Sequence, residues 1–202
     1  TDEARMQAWL EVELAVCEAW AELGRIPSEA MGEIRQKAAF DVERVNEIEE
    51  VTQHDVIAFV SCVAEQVGDA SKFIHYGLTS SDVLDTGLAL QLRAAGAILE
   101  EETVGLGRIL QRRALEHRDT VMIGRSHGVH AEPIVFGLVL GLWAFEVKRG
   151  IERLERATAQ AAVGKISGAV GTYANVDPQI EQLVMEKLGL GAEPISTQVV
   201  QR

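Results

Sequence analysis

Four of the five histidines fall in three short polar stretches: His54, His75, and His127 with His130. Histidine titrates nearest neutrality, so beside hydroxyls and charges it can give or take a proton without extensive tuning. The densest stretch is GRSHGVHAEP over 124–133, where Arg125 and Glu132 flank two imidazoles three residues apart. The sequence QHD at 53–55 opens an apolar helical pattern, so His54 and Asp55 lie where free N–H groups and the helix dipole favour an anion. In HYGLTSSD over 75–82, His75 sits in a turn, and Thr79, Ser80, Ser81 and Asp82 reach the start of the next helix. Such residues cap a helix, and the hydroxyls and free N–H groups at its start can also bind oxyanions. Together the three stretches suit proton transfer on a substrate rich in carboxylate or phosphate.

Other chemistries lack their residues. No H-E-x-x-H helix or cysteine pair is present to bind zinc, and no G-x-S-x-G elbow to make a serine hydrolase. GKISGAVGTYAN, over 164–175, is not a phosphate loop because Lys165 follows the first glycine. It reads as a flexible loop with one solvated cation. Cys17 and Cys62 each fall in an apolar helical pattern and read as reduced core residues of a cytosolic protein. His117 ends a helix, where its charge suits the dipole.

The elements that must position these groups read as helices. One spans 1–23, ended by Gly24. A short one follows Pro27, and a third runs over 42–50 behind Asp41. The pattern from 54 to 67 stops at Gly68. A long helix runs from about 80 to 116, and a second from Pro133 to about 161. The start of the second, IVFGLVLGLWAF, is apolar all round, so it needs cover beyond one neighbour. Asp177-Pro178 caps a last short helix ending before Gly189. No stretch reads convincingly as a strand, so the expected class is all-α. The expected organisation is a helical domain over 1–79 and the beginning of a long-helix bundle over 80–202. The net charge of −12 argues against a nucleic-acid partner. The longest apolar run falls short of the roughly 20 residues of a membrane span. The opening TDEARMQAWL is charged and does not read as a signal peptide. Both ends read as cut, so a piece of a longer protein is expected.

HYGLTSSDVLDT, GRSHGVHAEP, GKISGAVGTYAN and the closing STQVVQR resemble the adenylosuccinate lyase family of the fumarase/aspartase superfamily, over essentially all 202 residues. The resemblance implies elimination of fumarate from a succinylated purine nucleotide, with no metal and no cofactor. It implies His127 as general acid and His54 as a second catalytic histidine. Gln53, Asp55, Thr79, Ser80 and Gln198 become substrate contacts, although Gln53 departs from the basic residue expected there. His75 becomes a residue near the site, and His130 orients its loop. The resemblance also implies a cytoplasmic homotetramer whose long helices form one central bundle, with sites shared between subunits. The family's catalytic base is a serine on a loop of S-S-x-M-P type. No such stretch occurs here, so these residues alone are not expected to turn over. The alternatives are a carboxymuconate cycloisomerase-like member and a non-catalytic helical scaffold.

Overall fold

The computed structural model describes residues 1–201 and is predominantly helical. Its elements are α1 (Asp2–Glu22), α2 (Ser28–Lys37), α3 (Val42–Thr52), α4 (Asp55–Val67), a 3-10 turn (Gly68–Phe73), α5 (Ser80–Glu116), β1 (Val121–Ser126), β2 (Val129–Val135), α6 (Phe136–Ala161), β3 (Val163–Gly164), α7 (Pro178–Leu188) and β4 (Gly191–Ala192). Two compact units emerge. One joins Thr1–Arg93 to the segment from Gln160 onward, and the other is Ala94–Ala159.

The first unit is built around α1. Thr1 caps it by accepting from the Ala4 N–H at 3.2 Å, and Asp2 and Glu3 fill its first turn. Met6, Trp9, Val12, Val16, Cys17 and Trp20 are all buried, so the helix is covered on most of its circumference. The packing that closes this core comes from α2, α3 and α7. Trp9 meets Phe59 of α4 edge to face at 5.5 Å, a geometry that adds about 0.5–1.5 kcal/mol to the area buried. Asp41 caps α3 by accepting from the Arg44 N–H at 2.7 Å. Asp177 caps α7, Pro178 takes its first turn, and Gly189 ends it in the left-handed region at φ 63°.

The second unit differs from expectation. Residues 124–133 are not a loop between two helices. They form most of an antiparallel hairpin, β1 with β2, in which Ser126 faces Val129 and Arg125 faces His130. His127 and Gly128 are its two turn residues, at φ 52° and 78°. Two consecutive positive φ values make the primed turn that matches strand twist. The register shifts at Gly124, where a Cβ would lie 2.6 Å from the Glu132 carbonyl oxygen. Pro133 therefore does not open the second long helix. It pairs with Ile123 beside that bulge, a position that tolerates a residue without an N–H. The helix begins at Phe136, where carbonyls of the turn that follows α5 take up its first donors. Phe136 N–H bonds to Thr120 O at 2.8 Å and Gly137 N–H to His117 O at 2.9 Å. In the first unit a second small sheet pairs β3 with β4 in parallel, again where no strand is expected. Both ladders are short, so the helical class stands.

Within the second unit the apolar start of α6 is only partly covered. Gly137 and Leu140 are buried, whereas Leu138, Leu142, Trp143 and Phe145 are exposed. Ile98, Leu99, Leu106 and Ile109 on α5 are exposed as well. No helix among the described residues is long and apolar enough to cross a membrane.

Candidate active site

His54 caps α4. Its Nδ1 accepts from the Ile57 N–H at 3.4 Å and lies 3.3 Å from Asp55 Oδ1, while its Nε2 lies 3.4 Å from Ser80 Oγ. The two Nδ1 contacts demand opposite protonation. Accepting from the amide puts the neutral ring's proton on Nε2, facing Ser80, whereas a proton on Nδ1 turns the ring toward Asp55. The His54 side chain is 40% exposed.

Gln53, immediately before it, adopts the left-handed conformation that ends α3. Its Nε2 donates to Glu50 O at 2.8 Å, so half of its amide is committed to that helix end. Asp55 Oδ1 accepts from the Val56 N–H at 2.7 Å. Helix α5 opens at Ser80, with Thr79 just before it. The Thr79 N–H donates to Asp82 Oδ2 at 3.0 Å, the return half of a capping box. Asp82 therefore fixes the backbone at Thr79, one residue before the Ser80 that meets His54.

Asp82 is itself held from the far end of the sequence. Its Oδ1 bonds to Lys165 Nζ and accepts from the Ser167 and Gly168 N–H groups, each at 3.2 Å. Lys165 also donates to Gly168 O at 3.1 Å, and both Lys165 and Asp82 are fully buried. The residues around 164–168 are therefore neither a flexible loop nor the seat of a solvated cation. A buried charge needs a partner, and Asp82 supplies it. Thr86 Oγ1 accepts from the Lys165 N–H at 3.1 Å and donates to Lys165 O at 2.9 Å. Ile166 N–H bonds to Glu181 Oε2 at 2.8 Å, and the Tyr173 hydroxyl donates to Glu181 Oε1 at 2.8 Å. Ser167 Oγ meets Ser196 Oγ at 2.8 Å, and the Val200 N–H donates to Asp85 Oδ2 at 2.8 Å. Gln198 is exposed between those two ties.

The His75–Gly77 turn is pinned from α1. Glu13, only 2% exposed, accepts from the His75 N–H through Oε2 at 2.8 Å and meets His75 Nδ1 through Oε1 at 2.6 Å. Trp20 Nε1 donates to Tyr76 O at 3.1 Å. Gly77 sits at φ 79°, where a Cβ would lie 2.6 Å from Asn175 O. Neither Glu13 nor Asp82 stands out as functional in the sequence. A charged residue inside the apolar run of α1 is the one available signal for Glu13.

In the second unit, His127 and His130 are exposed on the hairpin. His127 occupies the turn and His130 faces Arg125 across the ladder. Among the described residues four that are not glycine have positive φ: Gln53, His75, His127 and Tyr173. Three of these are candidate site residues. Sparsely populated backbone conformations concentrate at sites where surrounding contacts over-determine them. No three or more of the described His, Cys, Asp and Glu residues gather to hold a metal ion.

A family model described as "Lyase" matches residues 1–202. The adenylosuccinate lyase of Bacillus subtilis is 57% identical over all 202 residues, which cover 47% of its length. The adenylosuccinate lyase of Synechocystis is 56% identical with the same coverage. The chain thus spans about half the length of the curated relatives it matches. Among solved structures, a fumarate lyase from Mesorhizobium is similar with a TM-score of 0.88 at 30% identity, over 95% of this chain and 47% of that one. A beta-carboxy-cis,cis-muconate cycloisomerase from Acinetobacter calcoaceticus gives 0.89 at 29%, over 97% of this chain and 48% of that one. Matched from end to end by one family model, and folded as these solved enzymes are, the chain belongs to the lyase family.

Proposed function

We propose that these residues supply the acid and part of the binding surface of an adenylosuccinate lyase. The reaction is a β-elimination from adenylosuccinate, giving AMP and fumarate, and from the succinylated carboxamide ribotide SAICAR, giving AICAR. A proton leaves the succinyl carbon, the C–N bond breaks toward nitrogen, and the departing nitrogen takes a proton. His127 is the donor in this reading, and its place on a two-residue turn exposes the ring for that role. His54 is the second catalytic histidine. Gln53, Asp55, Thr79, Ser80 and Gln198 contact substrate, with His75 close by.

The observation that carries the reading is His54 set 3.4 Å from Ser80 beside a helix start. A proton-carrying ring there meets hydroxyls and amides suited to carboxylate or phosphate. Relatives at 57% and 56% identity support the purine substrate over the muconate one. The exposed apolar residues of α5 and α6 support a homotetramer in which long helices cover one another and sites are shared. The helical domain over 1–79 and the bundle portion over 80–202 belong to the same reading. The buried free thiols Cys17 and Cys62 suit a reducing cytoplasm.

The test uses a chain of the relatives' full length carrying this sequence, followed by the purine absorbance change on adenylosuccinate. His127→Ala is expected to lower kcat by about 10²–10⁴, the usual contribution of a positioned acid. Turnover at the parent rate removes His127 from the mechanism, and turnover of a muconate alone moves the chain to the cycloisomerases.

A further inference from the structure

We propose that Glu13 is a positioning residue for His75: its buried carboxylate clamps the ring through Nδ1 and presents a proton-bearing Nε2 to an anionic group of the bound molecule. The inference deepens the reading above and rests on it for the identity of that molecule.

Glu13 lies on α1 among buried apolar residues. Its two oxygens are both spent on one residue, Oε2 on the His75 backbone N–H and Oε1 on the ring. No lysine or arginine pairs with it among the described residues, and a buried carboxylate without countercharge is costly. The countercharge available is the imidazolium. At 2.6 Å the Nδ1–Oε1 contact is as short as charge-assisted bonds are.

The same carboxylate fixes the backbone. His75 sits at φ 61°, and its amide is held there by Oε2. Ring and main chain are thus set by one group, leaving no freedom for Nδ1. No hydrogen bond within the described residues ends on Nε2, and that atom is not a buried orphan. The side chain is 24% exposed, so a ligand can reach it.

The charged groups that bear on the ring are Glu13 from α1 and Asp82 from α5, the latter already bound to Lys165. Burial pulls the imidazole pKa down. The hydrogen bond and charge of Glu13, with the charge of Asp82, outweigh it, and the net direction is up. A carboxylate that served packing alone would leave the protonation of His75 indifferent to its charge.

The experiment uses the full-length chain and diethyl pyrocarbonate, which acylates an imidazole only in its neutral form. Labelling of the His75 peptide is followed by mass spectrometry against pH and normalised to its plateau. The expected midpoint lies above that of an unperturbed histidine and falls in Glu13→Gln, so the variant labels several-fold faster near neutrality. Adenylosuccinate kinetics of the same variant should show KM raised several-fold with kcat retained, and the rise should shrink as pH falls. A His75 midpoint at the ordinary value in the parent overturns the proposal even if the variant does not fold. So does a midpoint unchanged in Glu13→Gln. Because labelling needs no substrate, failure to cleave adenylosuccinate counts against the proposed function alone.

Discussion

Removing the Lys165 ammonium while keeping most of its stem tests the buried network most sharply. Lys165→Met leaves the Asp82 carboxylate with backbone donors from Thr79, Ser167 and Gly168, at 3.0, 3.2 and 3.2 Å, but without its countercharge. Both partners are fully buried, so the discount for solvent screening that applies to surface pairs does not apply. Breaking a buried pair from one side costs about 3–5 kcal/mol. The three surviving amide bonds put Lys165→Met near the lower end of that range, about 3 kcal/mol. An isolated buried pair can be replaced by two apolar residues at little cost. Here Lys165→Met combined with Asp82→Leu should be worse than the single change. It strands three amides, each worth about 1–3 kcal/mol when buried and unpaired. Urea unfolding followed by circular dichroism reads both variants. With a slope of about 1–3 kcal/mol per molar, the single change shifts the midpoint by roughly 1–3 M. A double variant as stable as the parent would show that Asp82 does not organise these amides, and Lys165→Met within about 1 kcal/mol of the parent would show that Asp82 does not need the ammonium.

Four further outcomes follow from the same geometry. The raised His75 pKa contributes stability that is fully present below the unfolded value of about 6.5 and is lost as pH rises through the folded value. The stability gap between parent and Glu13→Gln should therefore narrow from pH 6 to alkaline pH in urea titrations, and a gap that widens contradicts the sign. Gly77→Ala combines left-handed strain with the Asn175 contact and should cost about 2–4 kcal/mol in thermal unfolding. Gly128→Ala has similar φ and open space, so it should cost about 1–2 kcal/mol, and equal losses would mean that space is irrelevant. Cys17, its thiol pushed up to about 12 by burial foremost and by Glu13 and Glu18, should resist iodoacetamide at pH 8 until the protein is unfolded.

Much of the helical frame was legible because its ends carry chemical marks. Asp41, Asp177-Pro178 and Gly189 each sit where local hydrogen bonding or backbone freedom demands them. The hairpin was not legible. The β1 segment VMIGRS shows no clean alternation, Pro133 resembled a helix opener, and His127-Gly128 took the place more often held by Asn-Gly. Lys165 reads as solvated because loops usually lie in water, and nothing local reveals a partner 83 residues away. The same distance hid the burial of Asp82, whose local bond to the Thr79 N–H is an ordinary capping contact. The candidate residues themselves, His54, His75, Thr79 and Ser80, are singled out by type and neighbourhood. What held them in place depended on tertiary contacts that periodicity does not encode.

The first unit is discontinuous, and that bears on how the nascent chain matures. Helix α7 packs on α1, and Ile180, Val184 and Met185 complete the hydrophobic cluster around Val12 and Val16. A ribosome that has released residue 93 must still make about another 100 residues before that lid on the core exists. At about 5–20 residues per second this is a wait of roughly 5–20 s. Throughout it the α1 surface that α7 later covers is available to chaperones, and a translational pause placed after α7 has emerged would shorten that exposure relative to one placed before it.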